Sequence, residues 1–361
     1  MERNIVPFVS VDHMMRLVHL VGLERFLLEL AQAIKDDFLR WESFDKTPRI
    51  ASHSRHGVIE LMPASDDRLY GFKYVNGHPS NTRHGLQTVT GFGLLSDVAT
   101  GYPLLLSEMT FLTALRTAAV SAVAAKYLAP PDTSCMAIIG NGAQSEFQAT
   151  AFRALLGIER FRLYDVDPAA TRKCAAHLRA RGLHVTACAS AAEAVESAQV
   201  ITTVTADKRH ATILTDNMVG AGVHINAVGG DCPGKTEVHR DILLRSSIFV
   251  EYGPQTRIEG EIQQLPAEHP VVELWKVIAG AEPGRRAHQG YAVRLGRLRG
   301  RGLLGAALRA WAHRRNRPVP GAGSDRGPGR PARPLRHADA LGLDEGGRLI
   351  WTVGHARGHQ A

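Results

Sequence analysis

Cysteine is scarce in this 361-residue chain: Cys135, Cys174, Cys188 and Cys232 are the four present, scattered without the paired spacing of a metal site. That usage fits a reducing cytoplasm and leaves no metal to expect. Long apolar runs are missing too. The N-terminal stretches are broken by Asp12, His13, Arg16, Glu24 and Arg25, so neither a signal peptide nor a membrane span is expected. A nucleophilic role for Cys232 is disfavoured, since no histidine base stands near it in sequence.

Lysine vanishes after Lys276. From Pro283 onward 16 arginines face only Asp325, Asp339, Asp344 and Glu345, so of the formal net charge of +8 this tail carries +12 and the remainder −4. The rest of the chain is therefore mildly acidic, and neither nucleic acid nor a membrane is an expected partner for it. Strings such as Arg326-Gly327-Pro328-Gly329-Arg330 have no helical or strand period and bury too little apolar surface to offset ordering entropy, so 285–361 reads as a disordered tail, with a short helix possible at 303–313. Two origins fit it: a basic arm for RNA, DNA or anionic lipid, or a shifted reading frame in a GC-rich gene. The missing lysine favours the second.

What remains is long enough for two domains with cores of their own. Cys135-Met136-Ala137-Ile138-Ile139 reads as a short buried strand, and Gly140-Asn141-Gly142-Ala143-Gln144-Ser145 leads from it into a helical stretch from Glu146 to Leu156. This is the dinucleotide fingerprint with serine in the third small position. Gly140 allows the tight turn, Gly142 lets backbone approach a pyrophosphate, and the helix start offers free N–H groups to phosphate charge. The next strand, 161–164, ends at Asp165, about 25 residues beyond Gly140, where a ribose-binding acid belongs. An acid there favours NAD over NADP by repelling a 2′-phosphate.

Further strands at 200–204 and 223–228 alternate with helical stretches, which predicts an α/β fold with a Rossmann-type, doubly wound parallel sheet over residues 130–284. The threonines of the first, running into Thr205, serve either a cofactor or simple β-propensity. Behind the second comes Gly229-Gly230-Asp231-Cys232-Pro233-Gly234-Lys235-Thr236-Glu237, which sets an acid on a glycine-flanked loop at the C-terminal sheet edge, where such enzymes do chemistry.

Residues 1–129 read as an N-terminal α+β domain for substrate binding and dimerisation. Apolar residues recur at helical spacing from Val11 to Trp41, as two helices broken near Gly22. Strand-like pieces follow at 49–51, 58–62 and 69–75, then a hairpin across Thr100-Gly101-Tyr102-Pro103 and a helix from about Phe111 to Tyr127. Arg49, Lys73 and Arg116 stand out as cations in apolar settings. Arginine grips a carboxylate through two parallel bonds, and lysine adds a point charge.

Taken together, Val11-Asp12-His13-Met14-Met15, Phe44-Asp45-Lys46-Thr47-Pro48-Arg49, the runs 57–63 and 72–79, Leu115-Arg116-Thr117, the fingerprint, the Asp231 loop and the run 254–264 resemble the ornithine cyclodeaminase and μ-crystallin family, and within it the bacterial ornithine cyclodeaminases. The resemblance covers about residues 5 to 282. It implies a homodimer that holds NAD and converts L-ornithine into L-proline and ammonia without net redox change. By motif match, Arg49, Lys73 and Arg116 would hold the substrate α-carboxylate, Glu60 would help bind an amino group, and Asp231 would be the catalytic acid/base. NAD would lie against Thr88, Arg116, Gly140, Gly142, Ala143, Gln144, Asp165, Thr205, Asn226, Ala227, Val228, Gly229 and Lys235. Relatives continue beyond the helix at Lys276 with a strand and a helix, and nothing after about Arg285 resembles them. The rivals are an NAD(P)-dependent amino-acid dehydrogenase or ketimine reductase on the same scaffold, and a nucleotide-binding relative without turnover.

Overall fold

The structure, a computed structural model, describes residues 6–47, 49–206, 212–230, 232–284 and 291–295. It opens with β1 (Phe8–Val9), α1 (Val11–Val21) and α2 (Leu23–Leu39). The Ser10 hydroxyl accepts the His13 N–H at 3.2 Å while His13 Nδ1 accepts the Ser10 N–H at 3.4 Å, a reciprocal cap that starts α1. Gly22, at φ +84°, makes the break before α2.

An antiparallel meander follows: β2 (Asp45–Lys46), β3 (Ile50–Ser54), β4 (Gly57–Ser65), β5 (Leu69–Gly77), β6 (Gly91–Asp97) and β7 (Pro103–Glu108). They run in the order β1-β7-β6-β5-β4-β2, with β3 also paired to β4 and β1 parallel to β7. Side chains alternate across the pleat. Along β5, Gly71, Lys73 and Val75 are buried on one face, and Tyr70, Phe72 and Tyr74 lie on the other.

The chain then enters α3 (Thr110–Leu128), buried nearly all round. Its small residues, Ala118, Ala119, Ala122, Ala124 and Ala125, let α2 and α4 (Ser145–Leu156) pack closely on either side. One apolar core consequently runs from Leu27, Leu30 and Ile34 of α2 through Leu112 and Leu115 to Phe152 of α4. It continues into the second sheet at Met136 and Ile138.

That sheet is built from β8 (Cys135–Ile139), β9 (Arg160–Tyr164), α5 (Pro168–Ala180), β10 (His184–Ala187), α6 (Ala191–Val195), β11 (Val200–Thr203), β12 (Val223–Ala227), α7 (Arg240–Leu244), β13 (Ser247–Val250), α8 (Gly253–Thr256), β14 (Val272–Glu273), α9 (Leu274–Ile278) and β15 (Tyr291–Leu295). Every pairing is parallel, in the order β10-β9-β8-β11-β12-β15-β13-β14. The order reverses between β8 and β11, the switch point at which doubly wound sheets bind ligands. Its other face is covered by a second core that includes Ile139, Ile201, Ile225 and Ile242.

One expectation is corrected here. The sequence placed no strand beyond 285, yet β15 pairs with both β12 and β13 in the middle of the sheet. Five residues are too few to show a period amid arginine and glycine, and the two flanking strands supply both ladders. Residues 285–290 and 296–361, including the short helix expected at 303–313, lie outside the described residues.

Candidate active site

The turn after β8 fits a dinucleotide. Gly140 takes φ +96°, and a Cβ on it would lie 2.9 Å from the Thr205 nitrogen and from Val204, so only glycine lets the β8 and β11 turns meet. Gly142 has nothing within 4 Å of a Cβ position, which leaves open space over the N-terminus of α4 for a pyrophosphate. Ala143 is exposed beside it, and Gln144 ends in a buried Oε1 that accepts no hydrogen bond among the described residues. Ser145 is fully buried, its hydroxyl 2.8 Å from the Gly142 carbonyl and 3.4 Å from Cys174 Sγ, so the third small position does pack the helix closely. Asp165 leaves β9 with Oδ2 accepting the Asn141 N–H at 2.6 Å and Oδ1 accepting the Asp167 N–H at 2.9 Å.

On the first sheet, register brings the predicted substrate residues to one face. Ala51 pairs with Glu60, Glu60 with Val75, and Met62 with Lys73, so Glu60 and Lys73 share the inner side, and Arg49, in the link before β3, reaches it through its contact with Glu60. Arg49 donates through Nη1 to Glu60 Oε1 at 2.7 Å. Its side chain is 6% exposed, and its Nε has no hydrogen-bond partner among the described residues. Lys73 is 1% exposed and Arg116, on α3, 2%. The first-turn N–H groups of Phe111 and Leu112 are taken by the Glu108 carboxylate at 2.9 and 3.1 Å, which satisfies the start of the helix that carries Arg116. Burial pushes the Glu108 carboxyl up, against the pull of those bonds. Thr88 lies on the loop between β5 and β6, where its carbonyl accepts the His78 N–H at 2.8 Å.

The run from Asn226 to Gly229 leaves β12 beside the β11 turn, with the Val228 and Gly229 N–H groups both donating to the Thr203 carbonyl at 3.0 Å. Asn226 is fully buried, with its side chain engaged by Thr202 and His224. Ala227 and Val228 are buried next to it. Asp231 itself lies outside the described residues. Lys235 folds inward rather than toward solvent, its Nζ donating to the Thr205 carbonyl at 2.7 Å.

Three acids were given no role by the sequence. Glu237 is buried under Gly229, where its Oε1 accepts both the N–H and the hydroxyl of Thr205. Glu261, fully buried, accepts the N–H groups of Glu237 at 2.9 Å and Val238 at 3.0 Å. Its carboxyl is pushed up to about 8, by burial first and by neighbouring Glu237 as well. Glu259 meets Arg49 Nη2 at 2.5 Å. All three sit in runs already quoted for the resemblance. For Glu259 and Glu261 the signal was two acids on either side of Gly260; Glu237, between Thr236 and Val238, carries no such mark.

Comparison with known proteins agrees with this layout. The family described as "Ornithine cyclodeaminase/mu-crystallin family" matches residues 11–293. A protein of Brucella melitensis named ornithine cyclodeaminase is 71% identical over 283 residues, 78% of this chain and 79% of that relative. Among solved structures, a lysine cyclodeaminase described with L-lysine, L-ornithine and L-2,4-diaminobutyric acid superposes with a TM-score of 0.79 at 29% identity, covering 86% of this chain and 93% of that one. An archaeal alanine dehydrogenase dimer with bound NAD does so with 0.78 at 27% identity, covering 86% and 97%.

Proposed function

The chain belongs to the ornithine cyclodeaminase/mu-crystallin family, and from that premise we propose that it is an ornithine cyclodeaminase, turning L-ornithine into L-proline and ammonia with NAD as its recycled cofactor. Residues 1–129 would bind substrate and the second subunit, and 130–284 would bind NAD. The observation that carries the reading is the buried inner face of the first sheet, where Arg49, Lys73 and the acid Glu60 lie together. Such a mixture of cations and an acid suits an amino acid with a second, cationic amine.

In this reading Arg49, Lys73 and Arg116 grip the α-carboxylate and hold the Cα hydrogen toward the cofactor, an orientation worth up to about 7–11 kcal/mol where the geometry is ideal. Bound NAD supplies the withdrawal and return of that hydrogen. Gly140, Gly142, Ala143 and Gln144 would hold its phosphates, Asp165 its ribose, and Thr88, Thr205, Asn226, Ala227, Val228, Gly229 and Lys235 the remainder. Glu60 takes a substrate ammonium. Asp231 accepts a proton from the δ-amine as that amine closes on Cα and gives one to the departing ammonia, a role contributing about 10²–10⁴-fold.

The opposite face of the same sheet supports a homodimer. Ile50, Ile59, Leu61 and Phe92 are 39–63% exposed there, with Tyr74 stacked on Phe92 at 4.9 Å, an apolar surface suited to a second copy. A cytoplasmic location accords with four free cysteines. Among the described residues no helix is long and apolar enough to cross a membrane. The test is to supply ornithine and catalytic NAD and to measure proline, ammonia and NADH together. Equal proline and ammonia without accumulating NADH supports the proposal; net NADH would instead favour a dehydrogenase, the activity named for the alanine dehydrogenase that shares the fold.

A further inference from the structure

One short segment reaches both halves of the site. Gln255, at the C-terminal end of α8, accepts the Arg49 backbone N–H at 3.4 Å through Oε1, and Glu259 meets the Arg49 guanidinium at 2.5 Å. Two residues later Glu261 accepts the N–H groups of Glu237 and Val238, and its Oε1 lies 2.9 Å from where a Cβ on Gly230 would stand. Between the two acids Gly260 takes φ +94°. That conformation sends Glu259 toward the first sheet and Glu261 toward the loop that follows β12, and a side chain there would be strained.

We propose that Glu259 is a positioning residue: from this bend it fixes the Arg49 guanidinium relative to Gly230 and Glu237, which Glu261 contacts on the other side of the bend. The role rests on the reading of Arg49 as a carboxylate anchor. Arg49 stands in the short link between β2 and β3, outside any strand ladder. Its backbone N–H goes to Gln255 across 206 residues of sequence, so its place depends on the second half of the chain as much as on its own sheet. Both side chains of the Arg49–Glu259 pair are nearly buried, 6% and 4% exposed, which removes the screening that makes surface pairs weak. Glu60 accepts a hydrogen bond from Nη1, and the Glu259 carboxylate lies 2.5 Å from Nη2 as an ion pair without hydrogen-bond alignment; one directional bond and one close charge on the two Nη atoms together restrict how the guanidinium plane can turn. The Nε–H, buried and without a hydrogen-bond partner among the described residues, is the donor this plane aims. A carboxylate arriving along it meets an arginine already oriented.

The experiment measures binding of L-ornithine, and of L-norvaline, which has the same carbon chain without the δ-amine, to protein loaded with NADH. Titrations compare the unaltered chain with Glu259→Gln and Glu259→Asp. Removing the charge should raise both amino-acid Kd values by the same factor, about ten- to hundredfold. NADH affinity should stay within about twofold, and the shorter acid should recover part of the loss. Unchanged amino-acid binding in Glu259→Gln overturns the proposal, as does a parallel loss of NADH binding, which would mark general loosening. Weakening confined to ornithine also overturns it, because Glu259 would then be touching the δ-ammonium itself. A chain that binds both amino acids yet forms no proline defeats the proposed reaction while leaving this role tested on its own.

Discussion

The Asp165 carboxylate accepts the Asn141 backbone N–H at 2.6 Å, so the end of β9 and the glycine turn after β8 share one charge-assisted bond. Hydrogen bonds of this kind are worth about 1.5–3 kcal/mol. Asp165→Ala should therefore weaken NADH binding by about tenfold or more and bring NADPH affinity closer to that of NADH. Fluorescence titration with the two reduced cofactors reads both effects; an unaltered NADH-to-NADPH ratio would remove Asp165 from the ribose site.

Gly140 and Gly142 should separate stability from cofactor binding. At Gly140 a methyl group meets Thr205 and Val204 at 2.9 Å in a left-handed backbone, so Gly140→Ala should cost about 1–3 kcal/mol and lower Tm. Gly142→Ala meets no atom of the chain and should change stability by no more than about 0.5 kcal/mol, yet it should impair NAD binding. If both variants melt alike and bind alike, the open space over α4 is not where the phosphates go.

Replacing Asp231 by Asn should abolish proline formation, by at least about 10²-fold in kcat, while NAD binding is spared. Steady-state assays on ornithine beside an NADH titration make the comparison. Surviving turnover would mean that another group moves the proton.

Glu261 gives stability a pH dependence of definite sign. Its carboxyl, ordinarily near 4.5, is raised to about 8 by burial, so the folded chain keeps a proton that the unfolded chain releases. This contribution is fully present below about pH 4.5 and is lost as pH rises toward 8. The slope attributable to one such group is at most about 1.4 kcal/mol per pH unit. Denaturant unfolding at several pH values should show it, and Glu261→Gln should flatten it. An identical slope in the variant would place the buried proton elsewhere.

Much of this was legible in order along the chain. The strand, glycine turn, helix, second strand and terminal acid from Cys135 to Asp165 each carry a local signal, and the structure reproduces them as β8, α4 and β9. The break at Gly22 and the two helices it separates were equally visible, because glycine conformation and 3.6-residue periodicity act over a few residues. β15 was missed for the converse reason: the five residues Tyr291–Leu295 give too short a signal amid arginine and glycine, and their place between β12 and β13 makes them a strand.

By itself the sequence determined which groups are available: the dinucleotide turn, the cations Arg49, Lys73 and Arg116, and an acid between glycines. Which of them meet was decided by tertiary structure alone. Register on the first sheet put Glu60 and Lys73 on one face, the link before β3 brought Arg49 to Glu60, and the bend at Gly260 brought Glu259 to Arg49 from 210 residues away in sequence. Spacing along a chain reports contacts only within a turn or a hairpin; a buried ion pair between distant segments is set by how the sheets and helices pack.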